Sequence, residues 1–251
     1  MDSLDKTQNI IPRRDENGDG AEYLFTLEKE LTEQLLTKAG RAFGTHADEL
    51  LLSALGTALR EIRGGNDFGV CVESHGRERL CKNIDTSRTV GWFTAYFPVI
   101  LKCKKSLGET IVSVKETMRR VPEKGASYPL LFGKIPEKTE LIFNFVGTLK
   151  EKNDYAFEMF RKNALRNAIP DKIMVNGIVS DGKLCVLISL KGDIRTNIVA
   201  DIGKEYEKQI RDLISYCAGY KESVKTLSDY SDPDLKESEL EEFERMFAED
   251  E

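Results

Sequence analysis

Apolar and polar residues alternate across Glu22 to Leu27 (EYLFTL), the period of two that a half-buried strand requires. The spacing then lengthens: Leu31, Leu35, Leu36 and Ala39 recur at helical intervals between Glu28 and Phe43, and Gly44 ends that helix. A second helix is predicted from His46 to about Arg63. Its apolar face, from Leu50 to Ile62, is rich enough to imply deep packing. Thr45 with Asp48 three residues on resembles a capping box that starts it. Period two returns at Phe68 to Glu73, with Val70 and Val72 on one face and Cys71 and Glu73 on the other. A further strand follows at Thr94 to Lys102.

Gly108 to Arg120 predicts a helix, and the Pro- and Gly-marked stretch PEKGASYPLLFGKIP after it should be irregular. Leu141 to Val146 is a short apolar strand. Lys150 to Asn167 shows no clear period and is read as a surface insertion. Lys172 to Ser180 and Lys183 to Leu190 form a hairpin about Asp181-Gly182, a strong turn signal. Asn197 to Ala218 is a long amphipathic helix. Together these elements predict an α/β sandwich, a mixed sheet covered by helices. Residues 1–20 are polar and read as a flexible lead-in to a domain at 21–230. Residues 231–251 form an acidic tail in which Leu240, Phe243 and Phe247 make a small helical face.

Composition narrows the class. Of 251 residues, 40% are hydrophobic and 32% charged, as in a soluble globular protein. The net charge of −6 and the lack of a long basic run argue against a nucleic-acid surface. Five cysteines without a CxxC pair fit neither a disulfide framework nor a zinc site, so no metal is expected. No apolar run approaches the roughly 20 residues of a membrane-spanning helix, and the first residues do not read as a signal peptide. No membrane contact and a cytoplasmic location are therefore expected. Gly64-Gly65-Asn66 lacks the ending of a phosphate loop, and no Ser/His/Asp or Cys/His arrangement supports an unrelated acyltransferase site.

Candidate chemistry concentrates between Glu73 and Val99. This stretch sets Glu73, His75, Arg77 and Arg88 beside Trp92, the only tryptophan, and holds one of only two histidines. Ionisable groups mixed with large aromatics suit a site that both binds and tunes acids and bases. Ordinary structure explains parts of it equally well. Glu73 could pair with Arg77 or Arg88, His75 and Arg77 could hold the loop, and Trp92 could be a core aromatic. His46, at a helix start, reads as exposed rather than catalytic.

ESHGRE (Glu73 to Glu78) followed by RTVGWFTAYFPV (Arg88 to Val99) resembles the paired signatures of epimerization domains of nonribosomal peptide synthetases, members of the condensation-domain superfamily. ELLLSALG (Glu49 to Gly56), PEKGASY (Pro122 to Tyr128), FNFVG (Phe143 to Gly147) and TLSDY (Thr226 to Tyr230) resemble further motifs in the family's order. Ser74, Ser127 and Phe145 depart from the usual Gly, Gly and Tyr. The resemblance implies the C-terminal half of a two-lobed, chloramphenicol-acetyltransferase-like fold. It implies Glu73 as an acid/base group, with His75, Arg77, Arg88, Trp92 and Asn144 binding substrate or shaping the site. Its substrates would be aminoacyl or peptidyl thioesters on the phosphopantetheine arm of a peptidyl carrier protein, with no cofactor bound directly.

The family's His-His-x-x-x-Asp-Gly motif has no counterpart here, since His46 and His75 are the only histidines. The resemblance therefore implies an N-terminal half as partner, and no epimerase activity in these residues alone. Without that half Glu73 is expected to face solvent, its apolar cleft being completed by Trp92 and the other lobe. A non-catalytic remnant that binds a carrier protein or self-associates is the alternative. A second copy could replace the lost lobe in a two-fold homodimer, whereas a tail folded back through Leu240, Phe243 and Phe247 would leave a monomer.

Overall fold

The computed structural model describes residues 21–78, 85–86, 88–133, 139–149, 154–191, 197–221 and 223–230. The expected lead-in at 1–20 and the tail at 231–251, with Leu240, Phe243 and Phe247, lie outside the described residues. Six strands form one mixed sheet: β1 (Ala21–Thr26), β2 (Asp67–Ser74), β3 (Ala95–Lys102), β4 (Leu141–Thr148), β5 (Ile173–Ser180) and β6 (Lys183–Leu190). Their order across the sheet is β1-β6-β5-β4-β2-β3. The β2, β4 and β5 strands run parallel in the middle, while β3, β6 and β1 pair antiparallel outside them.

Period two divides the strands between the faces of this sheet. Val70, Val72, Phe143, Val175 and Val186 point to one side and join the main core. Helices cover that side. The first, α1, runs as Lys29–Gln34, a π-helical stretch Leu35–Ala39 and a last turn Gly40–Phe43. It is joined by α2 (Ala47–Arg63), α3 (Leu107–Arg119) and α6 (Ile198–Ala218). The α2 helix lies deepest, with every residue from Glu49 to Leu59 buried. Its start differs from the capping box expected at Thr45 and Asp48. The Thr45 hydroxyl turns back to the Gly40 carbonyl, and the Glu49 carboxylate accepts the His46 backbone N–H at 2.7 Å. His46 is thus the residue that caps α2.

The β5–β6 hairpin turns at Asp181 and Gly182, both with positive φ (48° and 74°), as its two-residue loop requires. The PEKGASY stretch forms a 3-10 turn, Pro122–Gly125, and then a short helix, α4 (Tyr128–Phe132). Within the stretch read as a surface insertion, residues 154–166 form a helix, α5 (Asp154–Arg166). Arg161 on α5 binds Glu22 on β1 at 2.7 Å. Cys71, Cys103, Cys185 and Cys217 are buried free thiols, and Cys81 lies outside the described residues. Among the described residues no helix is long and apolar enough to cross a membrane.

Candidate functional site

Because Phe68, Val70 and Val72 of β2 are drawn into the helical core, Cys71 and Glu73 must face the other side of the sheet. Register then sets the neighbours of Glu73. Tyr96 lies opposite it on β3, Asn144 opposite it on β4, and Asn176 opposite Asn144 on β5. Four polar side chains thus form one row across four strands. The Asn144 Nδ2 donates to Asn176 Oδ1 at 3.4 Å. The far side of the row meets α5, and a pocket of about 630 Å³ opens between them.

Glu73 is half-buried at this pocket, not open to solvent as expected for the isolated lobe. Burial raises its carboxyl pKa above the usual range, and a hydrogen bond with the Tyr96 hydroxyl opposes the rise without cancelling it. The Tyr96 phenol is raised as well, by burial first and by Glu73 second. No cation among the described residues holds Glu73 ionised. The cause is desolvation of Glu73 on the sheet face that α5 covers. Trp92 stands at the pocket with 76% of its surface exposed, so it lines the site without belonging to the core.

Arg77 points elsewhere. Its Nη1 donates to the carbonyls of Thr86 (2.7 Å) and Thr89 (3.1 Å), and its guanidinium lies 4.1 Å over the Phe93 ring. His75 Nδ1 accepts the Arg77 backbone N–H at 3.0 Å, and its Nε2 is 3.2 Å from Glu78. Gly76 permits this turn: its φ is 62°, and a Cβ there would sit 1.6 Å from the Phe93 carbonyl oxygen. Arg88 is exposed and is not among the pocket's lining residues. Of the six residues singled out from sequence, Glu73, Trp92 and Asn144 therefore meet at the pocket. His75 and Arg77 shape the loop beside it, and Arg88 stands apart. Neither arginine pairs with Glu73.

A family model described as Condensation domain matches residues 4–235. The chain belongs to the condensation-domain family. Bacitracin synthase 3 of Bacillus licheniformis is 32% identical over 237 residues, covering 88% of this chain and 4% of that synthetase. Gramicidin S synthase 1 of Brevibacillus brevis is 30% identical over 247 residues, covering 87% of this chain and 22% of that synthetase. Among solved structures, the epimerization domain from the third module of tyrocidine synthetase B matches with a TM-score of 0.68 at 25% identity. That match covers 81% of this chain and 50% of the other. The first condensation domain of the CDA synthetase matches at 0.53 and 14% identity, which speaks to the fold alone. This condensation-domain chain thus spans half of that epimerization domain and less than a quarter of either synthetase. Its mixed sheet and helices agree with the chloramphenicol-acetyltransferase-like fold implied by the motifs.

Sequence reasoning missed Asn176 and the wall made by Met159, Phe160, Asn163 and Ala164. For Asn176 a signal existed. It is a lone carboxamide in the otherwise apolar strand IMVNGIVS, where both faces are buried. For the condensation-domain helix α5 the sequence offered only charge and an indistinct period.

Proposed function

We propose that this condensation-family chain is the C-terminal half of a condensation/epimerization-type domain. It acts on aminoacyl or peptidyl thioesters carried on the phosphopantetheine arm of a carrier protein, together with an N-terminal half. Glu73 supplies one of the two acid/base groups. The observation that carries this reading is a half-buried carboxyl of raised pKa, without a counter-charge among the described residues, in register with Tyr96 and Asn144.

Epimerization breaks the Cα–H bond on one face and makes it again on the other. The proton passes to one group, the electron pair moves into the thioester carbonyl as an enolate, and a second group returns a proton from the opposite face. A carboxyl with an ordinary pKa near 4.3 is a weak base for a carbon acid and rarely holds a proton to return. Desolvation of Glu73 moves it toward both roles. Asn144 stands on the adjacent strand with a second amide N–H available for the thioester oxygen. The opposing group belongs to the His-His-x-x-x-Asp-Gly motif, which these 251 residues do not contain.

The test uses an aminoacyl-loaded carrier protein and chiral chromatography. The 251 residues alone are expected to leave the D/L ratio unchanged, and addition of an N-terminal half bearing the histidine motif to shift it. Glu73→Gln should then lower the rate at least about a hundredfold. A Gln variant with near-native activity makes Glu73 structural. A second reading, a non-catalytic remnant that self-associates, is favoured by the exposure of Leu130, Leu131 and Phe132 on α4. A constant monomer mass in light scattering up to high concentration rejects the two-fold homodimer.

A further inference from the structure

Leu130, Leu131 and Phe132 stand in a row on α4, the first two 77% and 73% exposed. A single exposed apolar side chain is ordinary, but a contiguous patch marks a surface that something covers. This patch borders a groove of about 590 Å³ between α4, the edge strand β3 and the C-terminal end of α3. Ile100, Val121, Leu131 and Phe132 are among its apolar lining, and Lys102 and Arg120 supply its charge. No carboxylate is among its lining residues. At the middle of β3, Pro98 lies opposite Cys71, has no N–H, and turns its nitrogen to the open edge. Proline there discourages a further strand, so a second copy adding edge to edge is a poor occupant. A helix laid in by its apolar face fits the groove better.

The chain's own exit lies beside this groove. Ser228 Oγ donates to Glu116 Oε1 at 2.7 Å, and Asp229 accepts from Lys115 and Arg119, so residues 226–230 are strapped to one flank of α3. Thr117, on the next flank of that helix, lines the groove with Arg120 and Val121 just past the helix end. Leu240 comes ten residues after Tyr230. That length reaches up to about 33 Å, against a helix about 10 Å across. Residues 1–20 instead enter at β1, on the opposite edge of the sheet, roughly 24 Å away. Leu240, Phe243 and Phe247 recur at i, i+3 and i+7, and residues 231–251 hold ten acidic side chains against Lys236 and Arg245. At helical spacing, Glu237 and Glu244 flank that apolar stripe. We propose that residues 235–247 occupy the groove between α4 and β3 as an amphipathic helix. Leu240, Phe243 and Phe247 then rest on Leu131 and Phe132, and the flanking carboxylates meet Lys102 and Arg120. The tail covers the patch and keeps the chain monomeric. This does not depend on the thioester reading, and most of the docking segment lies beyond the family match, which ends at residue 235.

Amide hydrogen exchange on the full 251-residue chain, read by mass spectrometry, tests the docking. The N–H groups of Leu130, Leu131 and Gly133 donate within α4, and they should be protected together with residues 240–247. Phe243→Asp should speed exchange at least about tenfold at both places, since it puts a charge on the buried stripe. Leu131→Asp, made where the side chain leaves the body of the fold, should do the same from the groove side. Exchange in the β5–β6 hairpin should stay as in the wild type in both variants, which shows that the body remains folded. The two changes lie on separate segments, so either variant alone decides. Light scattering should give a monomer mass at every concentration. Fast exchange at residues 240–247 in the wild type, or unchanged exchange of α4 in Phe243→Asp, overturns the proposal. A mass that doubles with concentration while protection of α4 rises also overturns it, and gives the groove to a second copy.

Discussion

Two buried polar clusters flank the sheet, and they treat the same functional group in opposite ways. On the helical side, Lys115 is fully buried and donates to the Phe43 carbonyl (2.6 Å) and to Asp229 (2.5 Å). Arg119 bridges Asp229 (2.7 Å) and Glu49 (3.3 Å) and also caps the Gly44 carbonyl. Burial pushes the Asp229 carboxyl up, but hydrogen bonds from Lys115, the Thr226 backbone and Arg119 outweigh it, and the pKa ends below the usual range. On the pocket side, burial of Glu73 meets only the Tyr96 hydroxyl, and the pKa ends above it. Asn176 beside it keeps an unused donor. The first cluster is closed by its own charges, as a clamp must be. The second is left open among the described residues, which is how a binding site differs from a scaffold.

Removing one charge from the closed cluster should have the largest effect. Asp229→Ala leaves Lys115 buried without its counter-charge, and about 3–5 kcal/mol of stability should be lost in denaturant unfolding. Lys115→Met should cost distinctly less, because a chain of similar volume replaces the cation while Asp229 keeps Arg119 and Thr226. Equal costs for the two variants would erase the distinction between a closed clamp and an ordinary packing contact. The depressed pKa of Asp229 also fixes a pH window. Its contribution is present above the ordinary carboxyl range and is lost as pH falls through the lower folded value.

A smaller effect is expected in the loop beside the pocket. Arg77→Lys keeps the charge but loses the Nη1 group that donates to two carbonyls and the planar contact with Phe93. About 1 kcal/mol should be lost, with faster amide exchange at Thr89 and Phe93. Unchanged exchange there would mean that the loop is held by contacts other than Arg77.

What the residues could disclose in advance follows from range. The face of β2 that carries Glu73, the Asp181-Gly182 turn and the long α2 and α6 helices are set by local period and local turn chemistry, and each was readable. The row Tyr96–Glu73–Asn144–Asn176 depends on strand register across β3, β2, β4 and β5, which no local pattern encodes. The α5 helix stayed hidden for a related reason. It roofs a cavity instead of packing against a continuous core, so its inner side mixes Met159 and Phe160 with Asn163 and shows no clean apolar stripe. The motif resemblance reached Glu73 and Asn144, but Asn176 lay outside every motif quoted for it.

The smallest effect sharpens the comparison most. Glu73 prefers its neutral form in the folded chain more than in the unfolded one, so folding takes up protons at this site as the group titrates. A raised folded pKa contributes stability that is fully present below the ordinary carboxyl value and is lost as pH rises through the folded value. Glu73→Gln fixes the neutral state and keeps the shape and the contact with Tyr96. It should therefore melt at a higher temperature than the wild type at pH 7, and the difference should shrink toward zero near pH 4. Asp229→Asn, made on the closed cluster, should behave with the opposite sign. It is less stable than the wild type at pH 7, and its deficit closes only as acid protonates the native Asp229. Thermal melts of both variants at several pH values decide the matter. If Glu73→Gln is destabilising at pH 7 and the deficit closes in acid, Glu73 is held as an ion by a partner of its own, and the two clusters are alike.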